Sequence, residues 1–138
     1  MHFKLVSLAL VALLGVQAYA QLTAADISKD IEMVHEVYDE SIDYLTSHGP
    51  DSVDYYSHLD GFFDSLTSGY LKIADDLRRN VQLSDSDRAS LRKELYKLDG
   101  DLHDFYASFY KEITTKYWVK YLDIRETSEN IEMLIKTV

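Results

Sequence analysis

From Thr23 onward, Ile27, Ile31, Val34, Tyr38, Ile42 and Leu45 return every three or four positions, with charged and polar residues filling the gaps. That period places them on one stripe of an α-helix. His48-Gly49-Pro50 closes the stripe, because glycine is free to take the left-handed cap conformation and proline cannot continue a helix. Asp51 or Ser52 is placed to cap a second segment, in which Tyr55, Leu59, Phe62 or Phe63, Leu66, Tyr70, Ile73, Leu77 and Val81 hold one phase despite Gly61 and Gly69. The spacing predicts one long or kinked helix ending near Asn80. In the connector Leu83-Ser84-Asp85-Ser86-Asp87, Ser84 has the chemistry of an N-cap, and the aspartates suit the positive end of a helix.

Beyond that cap, Leu91, Leu95, Leu98, Leu102, Phe105 and Phe109 follow a 4-3-4-3-4 spacing, the inward seam of a helical bundle. The phase runs through Asp99-Gly100-Asp101 undisturbed, which predicts a continuous helix carrying a glycine at a cost of about 1 kcal/mol. A second stripe, Tyr106, Tyr110, Ile113, Tyr117, Tyr121 and Ile124, extends that helix and widens its apolar face. Thr127-Ser128 then predicts the start of a last short helix, with Ile131, Leu134 or Ile135, and Val138 inward. No segment alternates convincingly as a strand. The expected fold is all-α, an up-and-down bundle of four or five helices.

The first twenty residues read as an export signal and residues 21–138 as a single helical-bundle domain. His2 and Lys4 precede an apolar run from Leu5 to Val16, and Ala18-Tyr19-Ala20 fits the small-x-small rule for cleavage before Gln21. The run is shorter than the roughly 20 residues that span a bilayer, and no later stretch is long and apolar enough, so no transmembrane segment is expected. The expected location is extracellular, either free or associated with a cell wall. No Asn-x-Ser/Thr sequon occurs, since Asn80 is followed by Val-Gln and Asn130 by Ile-Glu.

Charge and composition remove whole classes of function. The net charge is −10 and cysteine is absent. The acidic balance opposes a nucleic-acid partner and an anionic membrane, and the lack of thiols removes disulfides and cysteine-based metal or nucleophile chemistry. Glu32-x-x-His35 has the spacing of a di-iron helix but occurs once, and the position four after His35 is Asp39, which fails the zinc-protease pattern. Asp99-Gly100-Asp101 fails as a calcium loop, because its twelfth position is Tyr110. No nucleophile elbow or phosphate-binding glycine loop is present. A non-enzymatic protein without metal or cofactor is expected.

The aromatics are the compositional excess: 11 Tyr, five Phe and Trp118. In the plain reading the phenylalanines are core and the tyrosines sit at its boundary with hydroxyls wet. In the functional reading Tyr106, Tyr110, Ile113, Tyr117 and Tyr121 face Tyr55, Leu59, Phe62 and Phe63 across a gap sized for an acyl chain, or form a patch that adsorbs to apolar surfaces. Several features together resemble the fungal hydrophobic-surface-binding protein A and cell-wall galactomannoprotein family. They are the export signal, the Asp26-Ile27 and Asp30-Ile31 steps, Tyr70-Leu71-x-Ile73, the Leu83–Asp87 connector, the leucine spacing of the long helix, and Thr127-x3-Ile131-x2-Leu134-Ile135. The family is typically richer in Ala, Ser and Thr than this Asp- and Tyr-rich chain. The resemblance implies a small secreted helical protein that adheres to hydrophobic surfaces and helps recruit degrading enzymes there, or holds a fatty acid between its helices. The alternative expectation is a secreted effector or antigen-like module that presents a helix face to another protein.

Overall fold

The computed structural model describes residues 21–79 and 81–138, so the export signal expected over residues 1–20 lies outside the described residues. Among the described residues there are four helices: α1 Ala24–Ser47, α2 Tyr55–Arg78, α3 Asp85–Phe109 and α4 Thr115–Thr137. Capping boxes start α1 and α3. The Thr23 hydroxyl accepts from the Asp26 amide at 3.4 Å while the Asp26 carboxylate accepts from the Thr23 amide at 2.8 Å. Ser84 and Asp87 repeat the exchange at 3.1 and 2.9 Å. Each box satisfies two amides that the first turn would otherwise leave without a partner.

Side-chain pairs fix the directions. Ser28 bonds Glu94 and His35 bonds Asp101, both 66 residues apart, so α1 and α3 run parallel. Lys116–Asp60 and Lys120–Asp64 share an offset of 56, so α2 and α4 are parallel as well. The pairs α1–α2 and α3–α4 are antiparallel, with Lys72 reaching back to Asp30 and Ser128 to Asp99. The chain therefore alternates up and down, but α2 and α3, consecutive in sequence, occupy opposite corners of the bundle. Their connection crosses its end, burying Val81 and Leu83 and pairing Val81 with Leu22 in an isolated parallel bridge.

One core runs the length of the bundle, built from Ile27, Ile31, Leu59, Leu66, Ile73, Leu98 and Ile131, all at most 1% exposed. The α1–α2 seam is the tightest. A Cβ on Gly69 would lie 2.5 Å from Val34 Cγ2, so a side chain there would push the two helices apart.

Four sequence expectations are corrected. Gly49 does not adopt a left-handed cap; α1 ends at His48 in an extended conformation, its amide bonded to the Tyr44 carbonyl at 2.9 Å. Proline at position 50 disfavours helical geometry just before it, which suffices to stop the helix. Neither Asp51 nor Ser52 caps α2, which begins at Tyr55 after Asp54 without a side-chain cap bond. The predicted long helix is broken at Tyr110–Thr114, where the chain reverses so that Tyr117, Tyr121 and Ile124 can bury against the core. Finally, Thr127-Ser128 starts no helix: Thr127 bonds back to the Asp123 carbonyl at 2.9 Å and Ser128 reaches Asp99, both in the middle of α4. Gly100, as expected, lies inside a continuous helix.

Candidate functional site: the aromatic end of α3 and α4

The residues expected to wall a cavity fall into two groups. Tyr55, Leu59, Phe62 and Phe63 are buried on α2, and Tyr117 comes to them from α4. The Tyr117 ring stacks on Phe63 with centroids 5.4 Å apart, and Phe105 of α3 lies 4.3 Å from Phe62. Rings meet rings where an internal gap was expected. Burial raises the Tyr117 hydroxyl to a pKa of about 12, helped by the Asp60 carboxylate beside it. Asp60 is in turn held below the usual carboxylate range, chiefly by its 2.6 Å bond from Lys116.

The other group looks outward. Tyr106, on the last turn of α3, packs 4.8 Å from Tyr121 and 5.4 Å from Trp118, while Trp118 stacks on Tyr121 at 5.3 Å and 17°. Tyr121 closes the inner side of this three-ring cluster at 6% exposure, and Trp118 opens it to solvent at 39%. Leu122, one helical turn after Trp118, and Val119 beside it are also exposed, at 43% and 51%. Tyr110 is exposed at the chain reversal and Ile113 is half-buried there. Trp118, Val119 and Leu122, with the ring cluster, form an apolar face on the first half of α4.

Sequence reasoning missed Trp118, Val119 and Leu122. The signal was an i, i+4 pair of large apolar residues adjoining the Tyr117–Tyr121 stripe. Reading the helix as continuous from Leu91 hid it, since the break at 110–114 resets the phase of everything that follows.

Two clefts lie on different helix pairs. One of about 310 Å³ lies between α3 and α4, lined by Asp99, His103, Tyr121, Arg125 and Ser128 among others. There burial raises the Asp99 carboxyl, against the 2.5 Å bond it accepts from Ser128. The other, of about 420 Å³, is an apolar groove between α1 and α2 over Met33, Val34, Val37 and Gly69. Glu32 and His35, one half of a di-iron spacing, do not act together: Glu32 is exposed and His35 pairs with Asp101 at 2.5 Å.

Compared with protein-family models, curated proteins and solved structures, the chain matches none.

Proposed function

We propose that this is a secreted, non-enzymatic protein that attaches to apolar partners, a lipid or a hydrophobic surface, through the aromatic end of α3 and α4. One observation carries the reading: Trp118, Val119 and Leu122 stand exposed on one face, continuous with the Tyr106–Trp118–Tyr121 ring cluster. Scattered exposed apolar residues are ordinary, but contiguous ones mark sites of contact. Tyrosine and tryptophan suit a wet boundary, since each offers an apolar ring and a polar handle. The rings packed between Tyr55–Phe63 and Tyr117 favour a partner held outside the bundle over an acyl chain threaded into it. The net charge of −10 favours uncharged surfaces over anionic ones.

The test is adsorption of the purified protein to uncharged polystyrene beads and to neutral phosphatidylcholine vesicles. Wild type binds one or both. Val119→Asp with Leu122→Asp loses binding while helical circular dichroism is unchanged, because both side chains already face solvent. If wild type adsorbs to neither, or the double variant adsorbs as well as wild type, this reading fails. In the first case a protein partner becomes the better account.

A further inference from the structure

Outside the aromatic face, the least ordinary chemistry lies at the far side of the bundle, where α1 and α2 bury two carboxylates around one ammonium. Asp30 and Asp76 are 8% and 7% exposed. Lys72 donates to Asp30 Oδ1 at 2.8 Å and to Asp76 Oδ2 at 2.6 Å, so one ammonium touches both acids. Asp30 Oδ2 is buried and receives no bond from any conventional donor. Two ionised carboxylates on one ammonium repel each other, and a buried acceptor without a donor is costly. A single proton resolves both defects.

We propose that Asp30 and Asp76 share one proton, carried on Asp30 and donated to Asp76, which makes this α1–α2 contact a clasp that tightens on mild acidification and loosens as the pH rises. The surroundings decide which acid keeps the proton. Arg79 stands 3.7 Å from Asp76 Oδ1 and adds a second cation on that side. Asp30 has Lys72 alone. Burial raises Asp30 above the ordinary value of 3.8, the bond from Lys72 opposes that rise, and the neighbouring Asp76 carboxyl adds to it. Burial would raise Asp76 too, but Lys72, Asp30 and Arg79 together hold it below that value.

Of the other charged groups nearby, Asp26 on α1 opposes this balance, because its carboxylate and that of Asp76 repel; Lys29 acts against that at Asp26, Asp26 is committed to the Thr23 box, and Asp76 stays below the ordinary value. On α2, Asp75 pairs with Arg78 in solvent. From α3, Glu94 and Asp101 are engaged by Ser28 and His35 on a different flank of α1.

The sign follows from linkage. A carboxyl that binds its proton more tightly when folded adds stability as the pH falls toward its unfolded value, 3.8, and loses that contribution as the pH rises through its folded value. Asp76, shifted the other way, keeps its contribution above 3.8 and loses it below its folded value. The clasp is therefore strongest near the ordinary carboxylate value and weaker at neutral pH.

Urea unfolding of the full secreted chain between about pH 4 and pH 8 tests this. One shared proton changes the folding equilibrium constant by at most about tenfold per pH unit. Wild type should gain on Asp30→Asn by up to that factor as the pH falls. At the alkaline end Asp30→Asn, whose amide keeps a donor toward Asp76 at every pH, should match or exceed wild type. Asp76→Asn should also lose the slope, but by weakening the acid end. The proposal is overturned if Asp30→Asn has the wild-type slope, or is weaker than wild type by one constant factor throughout. Should a variant fail to fold, the assigned Asp30 carboxyl carbon in the NMR spectrum of wild type decides: titration at or below the ordinary value overturns the clasp.

Discussion

Tyrosine does opposite work in two regions of this bundle. Between α1 and α2, Tyr38 and Tyr70 are fully buried at 0% exposure, with their hydroxyls 3.4 Å apart and desolvation holding both phenols protonated well above their ordinary pKa. Between α3 and α4, Tyr106 is half-buried in the ring cluster with Trp118 and Tyr121, and Tyr110 is exposed at the chain reversal. The first pair spends its polar atom inside the protein; the second keeps it available. What separates them is where each pair sits: Gly69 lets α2 press against Val34 of α1 in the seam that buries Tyr38 and Tyr70, whereas Tyr106 and Tyr110 lie at the end of α3, where the chain reverses into α4.

The largest test of this contrast is Phe63→Ala. Phe63 is fully buried against Phe62, Phe105 and Tyr117, so its removal should destabilise the protein by about 3 to 5 kcal/mol in urea unfolding. A loss under about 1 kcal/mol would mean that the rings are loosely packed and that the interior has room for a ligand. Gly69→Ala comes next, with an expected loss of about 1 to 3 kcal/mol from the clash with Val34, whereas Gly61→Ala, which meets nothing within 4 Å, should be neutral or stabilising. Equal effects at the two glycines would remove the argument from close approach. Tyr38→Phe should cost about 1 kcal/mol, because it leaves the Tyr70 hydroxyl without its partner. The smallest effect on stability, within about 0.5 kcal/mol, is expected for Trp118→Ser, although the same change should weaken adsorption to uncharged beads. A large loss of stability there would make Trp118 a structural residue and weaken the case for the aromatic face.

Most of the fold was legible in the spacing of apolar residues. The seam from Leu91 to Phe109 is buried throughout, as is the α1 stripe apart from Ile42, and both capping boxes stand at sequences that announce them. The break after Phe109 was not legible. Tyr110-Lys111-Glu112-Ile113-Thr114 contains neither glycine nor proline, and its apolar spacing is compatible with a continuing helix. Burial of Tyr117, Tyr121 and Ile124 against α2 and α3 overrides that local preference, and such a tertiary choice leaves no local mark. The outward aromatic face was hidden for the same reason, because its register depends on where α4 begins. The Asp30–Lys72–Asp76 cluster combines residues from two helices 42 positions apart, and nothing in either helix alone distinguishes these aspartates from the many that face solvent.

The diagonal crossing between α2 and α3 places the starts of the parallel helices α1 and α3 at the same end of the bundle, where Thr23 and Asp87 line a common recess. Two positive macrodipole ends thus lie side by side there, beside the negative ends of the antiparallel α2 and α4. Asp26 and Asp87, the acids of the two boxes, supply the countercharge, and bonding within those boxes lowers the pKa of each below the ordinary carboxylate value. Acid strong enough to protonate them would remove both countercharges at once. Amide hydrogen exchange in strong acid should therefore accelerate first in the opening turns of α1 and α3, beside the Leu22–Val81 bridge, while the opposite end of the bundle stays protected.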